Sequence, residues 1–343
     1  MALQASGAIS LSELATEFND TQPNNMSEFY RGGDRVPSVN TTVPTAGLIN
    51  LTDFYNCVNE IGVTASNATN VSLASAFSSN WTVNVPKRYT VPNGVTIGGT
   101  GGTAAITCES NMAGTLIIEV TGSVIGTGGA AGGAGGDAIS NAVGGVTLTV
   151  NNNGLVAGGG GGGGTGGVGG NGSYSSTSDQ TLYNINNYWW YGTYANGTYF
   201  RWGSVLRPHN NQTVVTYGGA TYYRGTYQQD VNYYAFYSIR RVATSTVNTT
   251  GGSGGAGGAG QGYNQNNTSG SAGASGGTNA GAGGTGGSGG TYANAGGTGG
   301  TGANGNASNG SAGSSGGAAG AAVSGTALAA YTNNGTVNGT VAT

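Results

Sequence analysis

Apolar residues follow three different rhythms along this chain of 343 residues. In residues 1–60 they cluster in short phrases. Two of these are related: Gly7-Ala8-Ile9-Ser10-Leu11-Ser12-Glu13-Leu14 and Gly47-Leu48-Ile49-Asn50-Leu51-Thr52-Asp53-Phe54. Ser10 and Asn50 stand where a helix N-cap would, with Glu13 and Asp53 three residues on, the spacing of a capping box. Leu11, Leu14 and Phe18 then share one helical face, as do Leu51, Phe54 and Tyr55. A third phrase, Met26-Ser27-Glu28-Phe29-Tyr30, runs into the stop Arg31-Gly32-Gly33. Helices this short are unstable alone, so they are expected to pack on one another or on a partner. The reading is a small docking module over 1–60, with Leu11, Leu14, Phe18, Phe29, Leu51 and Phe54 as its candidate contact residues.

From 61 to 125 the rhythm becomes alternation. Val63, Val71, Leu73, Trp81, Val83 and Val85 are spaced among Asn, Ser and Thr, and Ile117-Ile118-Glu119-Val120 reads as a further strand. A phrase then recurs: Val120-Thr121-Gly122-Ser123-Val124-Ile125-Gly126, Val150-Asn151-Asn152-Asn153-Gly154-Leu155-Val156-Ala157-Gly158 and Tyr331-Thr332-Asn333-Asn334-Gly335-Thr336-Val337-Asn338-Gly339. Its form is strand, Asn/Gly turn, apolar pair, Gly, with Asn and Gly expected at positive φ. Repeats of this kind imply stacked units sharing a core. The three copies are therefore expected to be neighbours in space, despite the long separation of the third.

The third rhythm has almost no large apolar residue. Gly-rich tracts fill about 126–172 and 251–325, and several keep a three-residue register, as in Gly251-Gly252-Ser253-Gly254-Gly255-Ala256 and Gly283-Gly284-Thr285-Gly286-Gly287-Ser288. A left-handed polyproline-II-type helix has three residues per turn. The register places Gly on two sides of such a helix and a small side chain on the third, so backbones can approach closely and bond laterally. Ordering glycine is costly, about 1–2 kcal/mol per residue for the backbone, and a flexible linker is the competing reading. Strict triplets and the near absence of charge favour an ordered bundle. Collagen is excluded, since no proline falls in these tracts and two residues in three are Gly.

Between the tracts, residues 173–248 form an insert holding most of the aromatics. Trp189, Trp190, Tyr191, Arg201, Trp202, Tyr222 and Tyr223 are the candidate receptor-binding residues, because Tyr, Trp and Arg dominate binding hot spots. The same residues also suit the core of a small inserted β domain.

Composition narrows the chemistry. Only 6% of residues are charged and the formal net charge is -3, and Lys87 is the sole lysine. Nucleic-acid binding is not expected, since it needs clustered cations. His209 is the only histidine, which leaves little material for a His-based metal site or a catalytic triad. The acidic residues share no spacing of paired catalytic carboxylates. No enzyme activity, cofactor or metal is expected. Cys57 and Cys108 are read as separate small hydrophobes, with a single disulfide as the alternative. No signal peptide is expected, nor a membrane-spanning helix.

Taken together, these features resemble the distal tail-fibre adhesins of T-even-like phages, and the phrases Ile9-Ser10-Leu11-Ser12-Glu13-Leu14 and Ile49-Asn50-Leu51-Thr52-Asp53-Phe54 look like the start of many phage tail and fibre proteins. The resemblance covers roughly 115–340 by architecture and composition. It implies a mainly β and irregular fold: an N-terminal virion-attachment module (1–60), a β-strand region (61–125), and a polyglycine-II helix bundle (126–172 plus 249–343). The insert (173–248) departs from the family pattern in being much longer than a loop. The resemblance further implies a virion tail protein, made in the host cytoplasm, whose partners are other tail or virion proteins and a host outer-membrane protein or glycan. A homotrimer and a bundle closed within one chain both fit. The alternative reading is a purely structural tail or capsid decoration protein with no receptor role.

Overall fold

The computed structural model describes residues 3–18, 25–33, 35–37, 40–143, 148–182, 214–217, 220–229 and 235–342. The N-terminal phrases form one short α-helix, α1 (Leu11–Glu17), and two single 3-10 turns, Met26–Phe29 and Leu51–Phe54. Both predicted capping interactions are present. Glu13 accepts from the Ser10 amide at 2.7 Å while its own amide donates to Ser10 Oγ at 3.2 Å. The Asn50 amide donates to Asp53 Oδ2 at 2.7 Å. The second phrase differs from expectation in its length. Tyr55 is already extended (φ -57, ψ 134) and Asn56 takes a positive φ of 58°, so one turn forms and no continuous helical face follows.

Residues 61–157 and 323–342 build a parallel β-solenoid with three sheets. The first coil is β1 (Ile61–Thr64), β2 (Ala68–Thr69) and β3 (Val71–Ser72). After a short helix α2 (Leu73–Phe77) come β4 (Lys87–Val91), β5 (Thr96–Gly98) and β6 (Ile106–Cys108). The third coil is β7 (Leu116–Val120), β8 (Ser123–Ile125) and β9 (Ile139–Asn141). The fourth begins with β10 (Leu148–Asn152) and β11 (Leu155–Ala157). Its third side comes only after the Gly tracts and an inserted antiparallel sheet, β12 (Gly172–Leu182), β13 (Val214–Tyr217), β14 (Ala220–Gln229) and β15 (Ala235–Thr249). That third side is β16 (Val323–Gly325), and β17 (Ala330–Asn333) and β18 (Thr336–Asn338) open the fifth coil.

The sheet orders are β1-β4-β7-β10-β17, β2-β5-β8-β11-β18 and β3-β6-β9-β16. Each inward position therefore stacks on its equivalent in the next coil. Ile118 pairs with Tyr89 and Val150, and Val124 with Ile97 and Val156. Ile139 pairs with Ile106 and Val323. Strands β4, β7 and β10 bury every second residue, as a half-buried strand requires.

The three copies of the recurring phrase lie side by side: Val150 pairs with Ile118 and Tyr331, and Leu155 with Ser123 and Thr336. Of their glycines Gly339 takes a positive φ of 120°, but the turn glycines Gly122, Gly154 and Gly335 do not, contrary to expectation. They are needed for close stacking instead. A Cβ on Gly154 would overlap the Gly122 carbonyl, and one on Gly335 the Gly154 carbonyl. Asn152 is fully buried here, donating to Asn333 Oδ1 and Thr336 O at 2.9 Å each.

Four positions read as strand residues take another form: Leu73, Trp81, and Val83 and Val85 in the bend before β4. Leu73 opens α2, because Ser72 Oγ accepts from the Ser75 amide at 3.1 Å and caps the turn. Leu73 and Phe77 then fall one helical turn apart on the core, where Phe77 stacks on Trp81 at 6.2 Å. Trp81 follows a 3-10 turn, Ser78–Asn80, and its indole N–H reaches Ser110 O at 3.2 Å.

Residues 158–171 and 250–322 carry neither helix nor strand, yet their amides are systematically paired. Residues 158–171 form the central run. Gly160, Gly163, Gly166 and Gly169 donate to Gln261, Gly258, Gly255 and Gly252, each at 2.8 Å. Gly161, Gly164, Gly167 and Gly170 donate to Asn294, Gly297, Gly300 and Ala303. In the other direction, Gly281, Gly284, Gly287 and Gly290 donate to the central carbonyls of 170, 167, 164 and 161. Ser311, Ser314, Gly317 and Gly320 do the same to those of 168, 165, 162 and 159. Each neighbour is thus met by every third residue. Where runs press together a side chain has no room: a Cβ on Gly160 would overlap Gly290 O, and one on Gly163 would overlap Gly287 O.

Candidate functional site

Among the N-terminal candidates, Leu14, Phe18, Phe29 and Phe54 are buried in one cluster with Ile9, Val36, Val43 and Cys57. The rings of Phe18, Phe29 and Phe54 lie 6.2 Å apart pairwise in tilted and edge-on geometry, which suits their quadrupoles. These four residues hold the module together. Leu11 and Leu51, at matching first positions after the two caps, are 37% and 36% exposed, and Leu48 is 83% exposed. Among the described residues, the large apolar side chains exposed on the module are therefore Leu11, Leu48 and Leu51. Leu48 escaped the sequence reading, although its place in the second phrase is held by Ala8 in the first. The phrases are tied by hydroxyls: Tyr30 donates to Gly47 O at 2.6 Å and Tyr55 to Gly7 O.

The other end is where the antiparallel sheet leaves the bundle. Gly172 pairs with Thr249, and the ladder continues to Leu182 against Ile239. An amide collar grips this root. Ser173 N–H donates to Asn306 Oδ1 at 2.8 Å, and Ser173 O accepts from Asn306 and Asn279 Nδ2 at 2.9 and 3.1 Å. Thr249 Oγ1 donates to Thr278 O at 2.7 Å. Turn 277–280 and the bend 306–308 supply these partners. Of the aromatic candidates, Tyr222 and Tyr223 lie in β14, paired in register with Arg241 and Arg240 of β15. Trp189, Trp190, Tyr191, Arg201 and Trp202 lie outside the described residues, as does His209.

At its near end the bundle is locked to the solenoid. The Tyr263 ring lies on the space a Cβ of Gly98 would fill, and its amide donates to Gly126 O at 3.0 Å. Asp137 takes the Ala321 amide at 2.7 Å and the Ser324 hydroxyl at 2.5 Å, where the chain returns to the solenoid.

In the solenoid, Arg88, Glu109 and Lys87 are used structurally. Arg88 bridges Glu60 at 2.8 Å and Glu119 at 3.1 Å across neighbouring strands, and the Glu60 hydrogen bond holds its pKa above the ordinary value. Glu109 accepts from the Ala74 amide at 2.9 Å. Lys87 is fully buried at the inward start of β4 and donates to the carbonyls of Val83, Val85 and Ala113 at 2.8, 3.0 and 2.6 Å. Burial holds its pKa below the usual lysine range. Cys57 and Cys108 are unpaired and buried, and burial raises both thiol pKa values. Among the described residues no cluster of three His, Cys, Asp or Glu could hold a metal, and no helix is long and apolar enough to cross a membrane.

The described residues thus form an N-terminal module with exposed leucines, a scaffold of stacked coils and glycine runs, and an inserted sheet held at its root by Asn279 and Asn306. The family model described as phage tail fibre adhesin Gp38 matches residues 59–232, half of the chain, and the chain belongs to this family. It is a tail-fibre adhesin of a bacteriophage virion. The chain is also similar to the crystal structure of the gp37-gp38 adhesin tip complex of the bacteriophage S16 long tail fibre. Identity is 16% over 98% of this chain and 99% of that one, with a TM-score of 0.39, too loose a likeness to carry an argument. No curated protein matches the chain.

Proposed function

We propose that this adhesin docks to the tail fibre through its N-terminal module and meets a host surface receptor with the inserted sheet and the turns around its root. It acts as a binding protein and not as an enzyme. Leu11, Leu48 and Leu51 are the docking contacts, since Leu14, Phe18, Phe29 and Phe54 are occupied inside the module. The docking partner is another tail-fibre protein, in keeping with the tail fibre adhesin family. The runs between solenoid and insert act as polyglycine-II helices, a reading supported by lateral hydrogen bonds that recur at every third residue.

The observation that carries the receptor assignment is the collar. Asn279 and Asn306 hold both sides of Ser173, so the insert stands on the bundle as a rooted element and not on a free tether. Preorganised aromatic surface binds with less entropy lost. Trp189, Trp190, Tyr191, Arg201, Trp202, Tyr222 and Tyr223 remain the proposed contact residues. Purified protein incubated with cells of the phage's host should block adsorption of the parent phage. Unchanged adsorption at saturating protein would refute the receptor role.

A further inference from the structure

Every coil of the solenoid crosses the corner between its second and third sheets, and the crossing differs in length. The first coil crosses with Asn70 alone, at positive φ. The second uses residues 99–105, the third 126–138 and the fourth 158–322. The third crossing is a small version of the fourth. It runs out from Thr127, turns at Ala131 and Gly132, and comes back along 133–136. It also lies against the base of the fourth: Gly129 donates to Gly160 O and Gly162 to Gly133 O, both at 2.8 Å.

The two ends of the fourth crossing are bonded to each other, Gly320 N–H to Gly159 O at 2.8 Å and Gly317 N–H to Gly162 O at 2.7 Å. Each end is also tied to the solenoid by itself, Gly158 N–H to Asn338 O at 2.9 Å and Ala321 N–H to Asp137. Meanwhile every strand partner within the three parallel sheets lies in 61–152, 155–157 or 323–338. None is supplied from the far part of the crossing.

We infer that residues 163–316 are a separable cassette, and that the N-terminal module and solenoid fold without them. A tight turn joining Gly162 to Gly317 makes the fourth crossing a copy of the third. The bundle meets the solenoid through Tyr263, over Gly98 and on Gly126 O, but supplies none of its strand pairing. Under the function proposed above, the cassette carries recognition and the remainder is a carrier that keeps the fibre site. Exchange of the cassette then changes host contact while leaving docking intact.

The test on the full chain is Gly167→Val, where the new side chain overlaps Ser311 O well out along the central run. Site-resolved amide exchange should show protection at 163–170, 252–258 and 297–303 falling by about tenfold or more, with β4, β7, β10 and β16 changing less than about threefold. An equal loss in both regions makes them one cooperative unit and overturns the inference. A second variant replaces 163–316 by Asn-Gly, the strongest short turn signal. It should unfold cooperatively and displace the full chain from tail fibres while failing to adhere to host cells. A variant that aggregates or stays unfolded contradicts separability. One that folds, yet cannot displace a full chain that does dock, contradicts the carrier role. If the full chain itself neither docks nor adheres, the proposed function falls, and the exchange and unfolding results still decide the cassette.

Discussion

The solenoid and the glycine bundle order nearly uncharged chain with opposite materials. In the solenoid, side chains fill the interior, and Leu116, Ile118, Leu148 and Val150 are fully buried in one hydrophobic cluster. In the bundle the interior is backbone, and Gly158–Gly164 is buried with no side chain at all. The difference gives a reading rule. The seven glycines of 158–164 have runs pressing on every side. Runs 251–260 and 281–290 keep about two glycines in three, and the outer runs 268–276 and 308–316 keep Gly270, Gly273 and Gly276, or Gly310, Gly313 and Gly316. Glycine frequency within a triplet thus counts the sides on which a run is packed. Where the central run loses a neighbour, Thr165, Val168 and Asn171 replace glycine, and their amides donate at 2.8 Å to the hydroxyls of Ser314, Ser311 and Ser308.

If the two regions are stabilised so differently, adding atoms should harm one and removing atoms the other. Gly161→Val forces a side chain onto the Gly317 carbonyl and should cost about 3 kcal/mol or more, read as loss of the bundle's transition in chemical denaturation. Ile118→Ala removes buried side chain from the solenoid and should cost about 3 kcal/mol, read in the solenoid transition alone. Lys87→Met should cost about 2 kcal/mol, because three buried carbonyls lose their donor, again in the solenoid. Ser311→Ala should cost the bundle only about 0.5–1 kcal/mol, since the freed Val168 amide lies at an exposed edge.

The smallest effect concerns the N-terminal module. Hydrogen bonds from Ser10 hold the Glu13 pKa below its ordinary value of 4.5. A carboxylate with a depressed folded pKa contributes stability above its unfolded pKa and loses it as pH falls through the folded one. Wild type should therefore lose slightly more stability than Glu13→Gln on acidification below about pH 4.5, in a pH series of thermal melts.

Much of this was legible in the sequence. The capped phrases, the strand alternation and the adjacency of the three recurring phrases all rest on local spacing, and local spacing survives folding. The triplet register led to lateral pairing for the same reason. Other features were hidden because they depend on distant partners. Leu73 and Phe77 match a helix as well as a strand, and the Ser72 cap decided it. Lys87 stands in phase with Tyr89 and Val91, a sign that it points inward, but only the carbonyls of Val83, Val85 and Ala113 make that tolerable. Nothing local marks that the long excursion interrupts a coil, since β16 meets β9 only after the whole bundle. In the N-terminal module the aromatic phrases look equally suited to a partner and to one another, and burial separates Phe54 from Leu51.

The central claim is that threefold-periodic backbone hydrogen bonding makes the bundle solid. Amide exchange resolved along 158–171 tests it most directly. Protection comparable to that of β7 is expected through the run, Thr165 and Val168 included. Exchange there at the rate of an unstructured peptide, with β7 still protected, would contradict it.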